Sequence, residues 1–181
     1  LFNKQKTTLI QAPGAISGSY TIPDSVTTIE WDAFSSCNNL TSVVISNSVT
    51  LIGMSAFSHC VNLTDVVLGS NVTNIGSWAF SGCDSLISIE IPASVTGIGD
   101  NAFYECLSLT SISVDKDNPN YSSDDKGVLF DKQKTVLIAA PCGIAGSYII
   151  PDSVITLGDS SFSGCRSITS LVIGNSVTEL G

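Results

Sequence analysis

Basic side chains are scarce. Seven Lys and Arg stand against sixteen Asp and Glu, a net charge of −9, whereas nucleic acid and anionic membrane surfaces are bound through clustered positive charge. Neither is a partner that this composition provides for. Histidine occurs once, as His59 beside Cys60, and neighbours on a chain at such a position face different ways, so the two do not form a nucleophile–base pair. No C-x-x-C is present to hold zinc. No apolar run is long enough to span a bilayer, and Leu1 does not begin a secretory signal, so a leader is expected upstream or already removed. Charge of any sign is low at 13%, with 43% hydrophobic residues, which excludes a disordered tail and points to an ordered scaffold.

What the chain has instead is repetition. Its opening, "LFNKQKTTLIQAPGAISGSYTIPDSV", returns as "LFDKQKTVLIAAPCGIAGSYIIPDSV", with Leu1 and Val26 matched to Leu129 and Val154 and no residue gained or lost between. Followed onward, that valine recurs as Val49, Val72, Val95, Val154 and Val177, in steps of 23 residues broken by one of 59. Phe34, Phe57, Phe80, Phe103 and Phe162 keep the same beat, as do Cys37, Cys60, Cys83, Cys106 and Cys165, and Leu40, Leu63, Leu86, Leu109 and Ile168. The two long phrases are tails of lengthened units.

A unit this short cannot bury its own apolar residues, but stacked copies lay each valine, phenylalanine and leucine against its equivalent and build one continuous core. The pattern therefore predicts a solenoid. In "LTSVVI", "LTDVVL", "LISIEI", "LTSISV" and "ITSLVI" the last three positions alternate at the strand period, so the stacked coils pair these strands in parallel, with Leu40, Val43 and Ile45 inward and Ser42 and Val44 outward. "SVTTI" reads as a short extended piece on the opposite side, and "DAFSSC" as a helical or 3₁₀ turn. Gly53, Gly76, Gly99, Gly158 and Gly181 follow in register and are expected as turn formers with permissive φ, with Glu30 in that slot of the first unit.

L-x-x-h-x-h (h apolar) followed by S-V-T-x-I-G-x-x-A-F-x-x-C resembles the BspA-like leucine-rich repeats, a group of bacterial and some protist cell-surface proteins, across essentially the whole chain. The resemblance implies an α/β repeat solenoid: curved and right-handed, a parallel sheet on the concave face, short strands or 3₁₀ turns on the convex side. It also implies display at the cell surface or secretion, and adhesion to host or matrix proteins rather than enzyme activity. The outward strand residues Ser42, Val44, Asp65, Val67, Ser88, Glu90, Ser111, Ser113, Ser170 and Val172 are the candidate contact surface for a protein partner. Two other uses fit the same chain: a spacer holding another domain away from the cell, and the recognition part of a secreted enzyme.

Five of six cysteines sit on the beat and Cys142 is read as falling outside it, which predicts a ladder of buried free thiols rather than disulfides. Residues 115–150 form an insertion in which "GVLF" and "TVLIAA" around "DKQK" predict a β-hairpin, preceded by an acidic stretch, 115–127, that lacks EF-hand spacing and reads as a solvated loop. No cofactor or metal is predicted. Sequons at Asn39, Asn62, Asn71 and Asn120 matter only in a eukaryotic source. Lacking a polar terminal unit at either end, residues 1–181 are expected to be one solenoid fragment that self-associates end to end.

Overall fold

The computed structural model describes residues 1–181, and every regular element in it is a strand. The longer strands, Gly18–Thr21, Leu40–Val44 and Asp65–Val67, then Ser88–Ile91 and Ser111–Val114, then Gly146–Ile149 and Ile168–Val172, pair in parallel along one side of the stack. On another side the two-residue strands Thr8–Leu9, Thr28–Ile29, Leu51–Ile52, Asn74–Ile75 and Gly97–Ile98 form a second parallel ladder. Each coil thus contributes one longer and one shorter strand, and the β-branched residues that fill both suit a half-buried pleat.

No α-helix or 3₁₀ helix forms at the "DAFSSC" position, which corrects the α/β description. Residues 31–36 are consecutive turns, and their amides alternate in use. Ala33, Ser35 and Cys37 donate three residues back, to Glu30, Asp32 and Phe34, while Asp32, Phe34 and Ser36 donate across to Met54, Ala56 and Ser58 of the next coil. Asp32 and Ser36 hold φ at 54° and 59°, as do their equivalents Ser55 and His59 at 53° and 57°. Those left-handed residues interrupt any helical run and turn every second N–H toward the neighbouring coil.

The same angles reassign the glycines. Gly53 and Gly76 do not take positive φ; a Cβ on Gly53 would lie 2.7 Å from the Glu30 carbonyl carbon, and one on Gly76 would lie 2.6 Å from Met54 N. They are required by close approach of one coil's backbone to the next, not by turn conformation. Glu30 is tolerated because it borders open space lined also by Asn3, Thr8 and Gln11.

Val26, Val49, Val72, Phe34, Phe57, Phe80, Leu40, Leu63 and Leu86 are all fully buried. Successive phenylalanines stack nearly parallel, with ring centroids 4.8 Å apart for Phe34 and Phe57 and 5.3 Å for Phe57 and Phe80, close to the spacing of paired strands. All six cysteines are unpaired. Cys60, Cys83 and Cys106 have no exposed surface, and each donates its thiol at 3.1 Å to the carbonyl of the phenylalanine one coil back: Phe34, Phe57 and Phe80. Cys142 is buried too, and it lies 23 residues ahead of Cys165, so it stands on the beat after all. In native protein at pH 8, Cys37, Cys60, Cys83 and Cys106 should take no alkylating label; after denaturation without reductant, mass spectrometry should show one label on each.

The insertion interrupts this order. Tyr121–Ser123, Leu129–Asp131 and Val136–Ala139 form an antiparallel meander whose last strand pairs in parallel with Thr156–Leu157 and so rejoins the short-strand side. The 115–127 stretch is not a solvated loop throughout. Asn118 is fully buried, donating to the Pro92 and Val95 carbonyls and accepting from the amides of Asn120 and Tyr121. The core divides at the insertion into clusters of 33 and nine buried residues.

Candidate functional site

The strand register decides which outward side chains meet. Ser42 stands beside Asp65, and Val44 beside Val67; Ser88 pairs with Ser111, and Glu90 with Ser113; Ser170 faces Ser147, and Val172 faces Ile149. Alternation at the strand period buries Val43, Val66, Ile89 and Ile112 between them and leaves the two outward rows to solvent. Ser42 and Ser111 are half-buried and the other eight predicted residues exposed.

These ten residues do not form one surface. Val44 and Val67, 36% and 49% exposed, make an apolar pair beside Thr21. Val172 belongs to a second pair with Ile149 on the far side of the insertion. Between them the insertion takes the place of a neighbouring strand: Ile112 N donates to the Gly127 carbonyl, and Val114 N to Ser123 Oγ. Tyr148 Oη, from the strand beyond, donates at 2.7 Å to Asp124 Oδ2 and ties the two sides together. Burial and that carboxylate both hold the Tyr148 phenol protonated.

Sequence reasoning missed Ser19, Thr21, Ser147 and Ile149, which extend both rows. The signal was present. Ile22 precedes Val26 by the same four residues that separate Ile45 from Val49, so "SYT" lies in register with "SVV".

Two shallow grooves run along this face. One, lined by Thr21, Val44, Val67 and Leu68, is mostly apolar at its floor. The adjoining one holds about 430 Å³ and carries Asp65, Glu90 and Asp115, with no Lys, Arg or His in its lining. The nearest base in sequence, Lys116, turns to Asp117 at 2.9 Å. The face therefore offers an apolar strip with an uncompensated acidic margin. Nowhere do three His, Cys, Asp or Glu side chains converge as metal ligands, and no helix is long and apolar enough to cross a membrane.

The comparisons agree with the stacked coils. No curated protein matches the chain. Among solved structures, the pneumococcal vaccine antigen PcpA is similar at a TM-score of 0.85 and 26% identity, over 97% of this chain and 52% of that one. A leucine-rich cell surface protein from Faecalibacterium prausnitzii A2-165 is 32% identical, with a TM-score of 0.72, over 88% of this chain and 46% of that one. A leucine-rich repeat protein from Eubacterium ventriosum is 26% identical, with a TM-score of 0.69, over 91% and 55%. The chain spans about half the length of these proteins. The family model described as "BspA type Leucine rich repeat region" matches six copies over residues 17–124 and 141–181, and the chain belongs to the BspA-type leucine-rich repeats.

Proposed function

We propose that the chain is a protein-recognition module that works at the cell surface or outside the cell, and that it binds a host or matrix protein through the longer-strand face. One observation carries the proposal: Val44 and Val67 form an exposed apolar strip bordered by Asp65, Glu90 and Asp115 without a nearby basic partner. A partner that matches it presents apolar side chains flanked by Lys or Arg. The apolar contact supplies affinity, and the acidic margin supplies orientation and association rate. The surface location is supported by the similarity to the Faecalibacterium cell surface protein.

The test is a panel of purified extracellular-matrix proteins and host serum proteins screened on a biosensor against the native chain and the Val44→Lys/Val67→Lys variant. Exposed positions shift stability by less than about 0.5 kcal/mol, so the thermal midpoint should hold, while partner affinity should fall at least about tenfold, roughly 1.4 kcal/mol. Higher salt should slow association with the native chain. Unchanged binding by the variant would remove the face from consideration, and no binding to any panel member would leave the spacer role.

A further inference from the structure

From Asp32 to Tyr104 the coils close on one another along the turn arc, and this pattern stops at the insertion. Asp32, Phe34 and Ser36 donate to the next coil at 3.0, 2.7 and 2.8 Å; Ser55, Phe57 and His59 do the same at 2.9, 2.8 and 2.7 Å, and Trp78, Phe80 and Gly82 at 3.0, 2.8 and 2.8 Å. In the following arc the equivalent amides belong to Asn101, Phe103 and Glu105, and none of them has an acceptor. The arc is otherwise intact but for Ala102 N, which lacks the bond back to Gly99 that Ala33, Ala56 and Ala79 make to Glu30, Gly53 and Gly76. Its carbonyls at Asp100, Ala102 and Tyr104 are taken by the preceding coil, and Tyr104 N still turns back to the Asn101 carbonyl.

The missing acceptors leave a cleft of about 340 Å³ between this arc and residues 136–140. Tyr121 and Ile98 both line it, and the Tyr121 hydroxyl accepts from Ile98 N at 2.9 Å. Phe103 is only 6% exposed, and backbone donors left unpaired beside buried side chains cost free energy comparable to a lost hydrogen bond. Asp100 and Asp159 stand at the rim, Ser160 and Ser161 add hydroxyls, and no Lys, Arg or His lines the cleft.

We propose that this cleft binds a lysine- or arginine-bearing peptide segment of a partner protein, which supplies to Asn101, Phe103 and Glu105 the carbonyls that the next coil supplies elsewhere. In the ordinary coils these carbonyls come from alternate residues of a run of turns, so the segment docks in that turned form, adding to a free backbone edge. Side-chain size follows from the ordinary coils: the central acceptor there is Ala56, Ala79 or Ala102, so the segment carries a small residue at its middle. The rim carboxylates select its charge. An inorganic anion, which three amides in a row would otherwise attract, is repelled by Asp100 and Asp159. This site lies on the turn arc, away from the strand face, and stands independently of the function proposed for that face.

The probe is the hexapeptide acetyl-Lys-Ser-Ala-Ser-Ala-Lys-amide, followed by NMR on the full chain. Without peptide, the amides of Asn101, Phe103 and Glu105 should exchange at least about tenfold faster than those of Phe57 and Phe80, since exchange follows local opening and solvent access. Millimolar peptide should slow all three and shift them saturably. Replacing both rim acids, Asp100→Lys/Asp159→Lys, should weaken that binding about tenfold, as like charge replaces complementary charge; both positions are exposed, so the fold tolerates the change. The Val44→Lys/Val67→Lys variant should bind the hexapeptide unchanged. The proposal is overturned if the three amides are as protected as Phe57 in the free chain, if the peptide gives no saturable shift, or if the rim variant or a peptide with Glu in place of Lys binds equally well.

Discussion

Phe57→Ala should cost about 3–5 kcal/mol in chemical unfolding, the range for removing a fully buried phenylalanine. Its ring lies between Phe34 and Phe80, with interplanar angles of 13° and 5°, and has no exposed surface. The backbone around it is pinned on both sides: its amide donates to Ala79, and its carbonyl accepts the Cys83 thiol. A structure held this way cannot collapse into the space left behind, which places the cost toward the upper end. Because each coil touches only its neighbours, the loss also weakens the coupling between the two halves of the array. Broadened or biphasic unfolding should follow. Phe103→Ala is the contrast. Its ring stacks on Phe80 at 5.9 Å but has the seam cleft on its other side, so it should cost clearly less. Equal losses at the two positions, or a loss below about 1 kcal/mol at Phe57, would show that the stacked rings do not carry the core.

The beat of Val, Phe, Cys and Leu was legible because every member of it is a buried position repeated without insertion. What the beat could not report was how neighbouring coils touch. Gly76 reads as a turn former in one dimension; only the approach of the Gly53 and Met54 backbones makes its missing Cβ a contact requirement. Cys142 was lost by counting forward from Cys106 through the insertion, although counting back from Cys165 finds it. The division of the outward face has the same origin. Val44 and Val172 share a repeat position, but the insertion that separates them in sequence also fills the space between their strands, with Gly127 against Ser111 and Ile112. The unpaired amides at Asn101, Phe103 and Glu105 are marked in the sequence only by the 59-residue step that follows Val95, which does not say that their acceptors are left unsupplied.

Above pH 9 the chain should lose stability steeply, and the buried thiols are the cause. Burial pushes the Cys60 thiol from 9.0 up to about 12 and raises Cys83 and Cys106 as well, and in each case desolvation of the thiolate outweighs every other influence. The sign follows from linkage. A folded-state pKa above the unfolded one means that the unfolded chain releases protons first as pH rises, so the stabilisation is complete below the unfolded value and is lost upward toward the folded one. For Cys60 the window is therefore pH 9 to about 12. Within it each such thiol contributes a slope of up to about 1.4 kcal/mol per pH unit, and three thiols together up to about 4. Urea midpoints measured between pH 8 and 10.5 should be flat at first and then fall. Serine at all three positions, Cys60→Ser/Cys83→Ser/Cys106→Ser, keeps a donor for the Phe34, Phe57 and Phe80 carbonyls but cannot ionise in this range, so most of the alkaline slope should vanish whatever the variant's stability at pH 8. A slope that survives in the triple variant would assign the alkaline loss to the other raised groups, Cys37, Cys165 and Tyr148, and a native chain with no slope would mean that its thiols ionise as readily folded as unfolded.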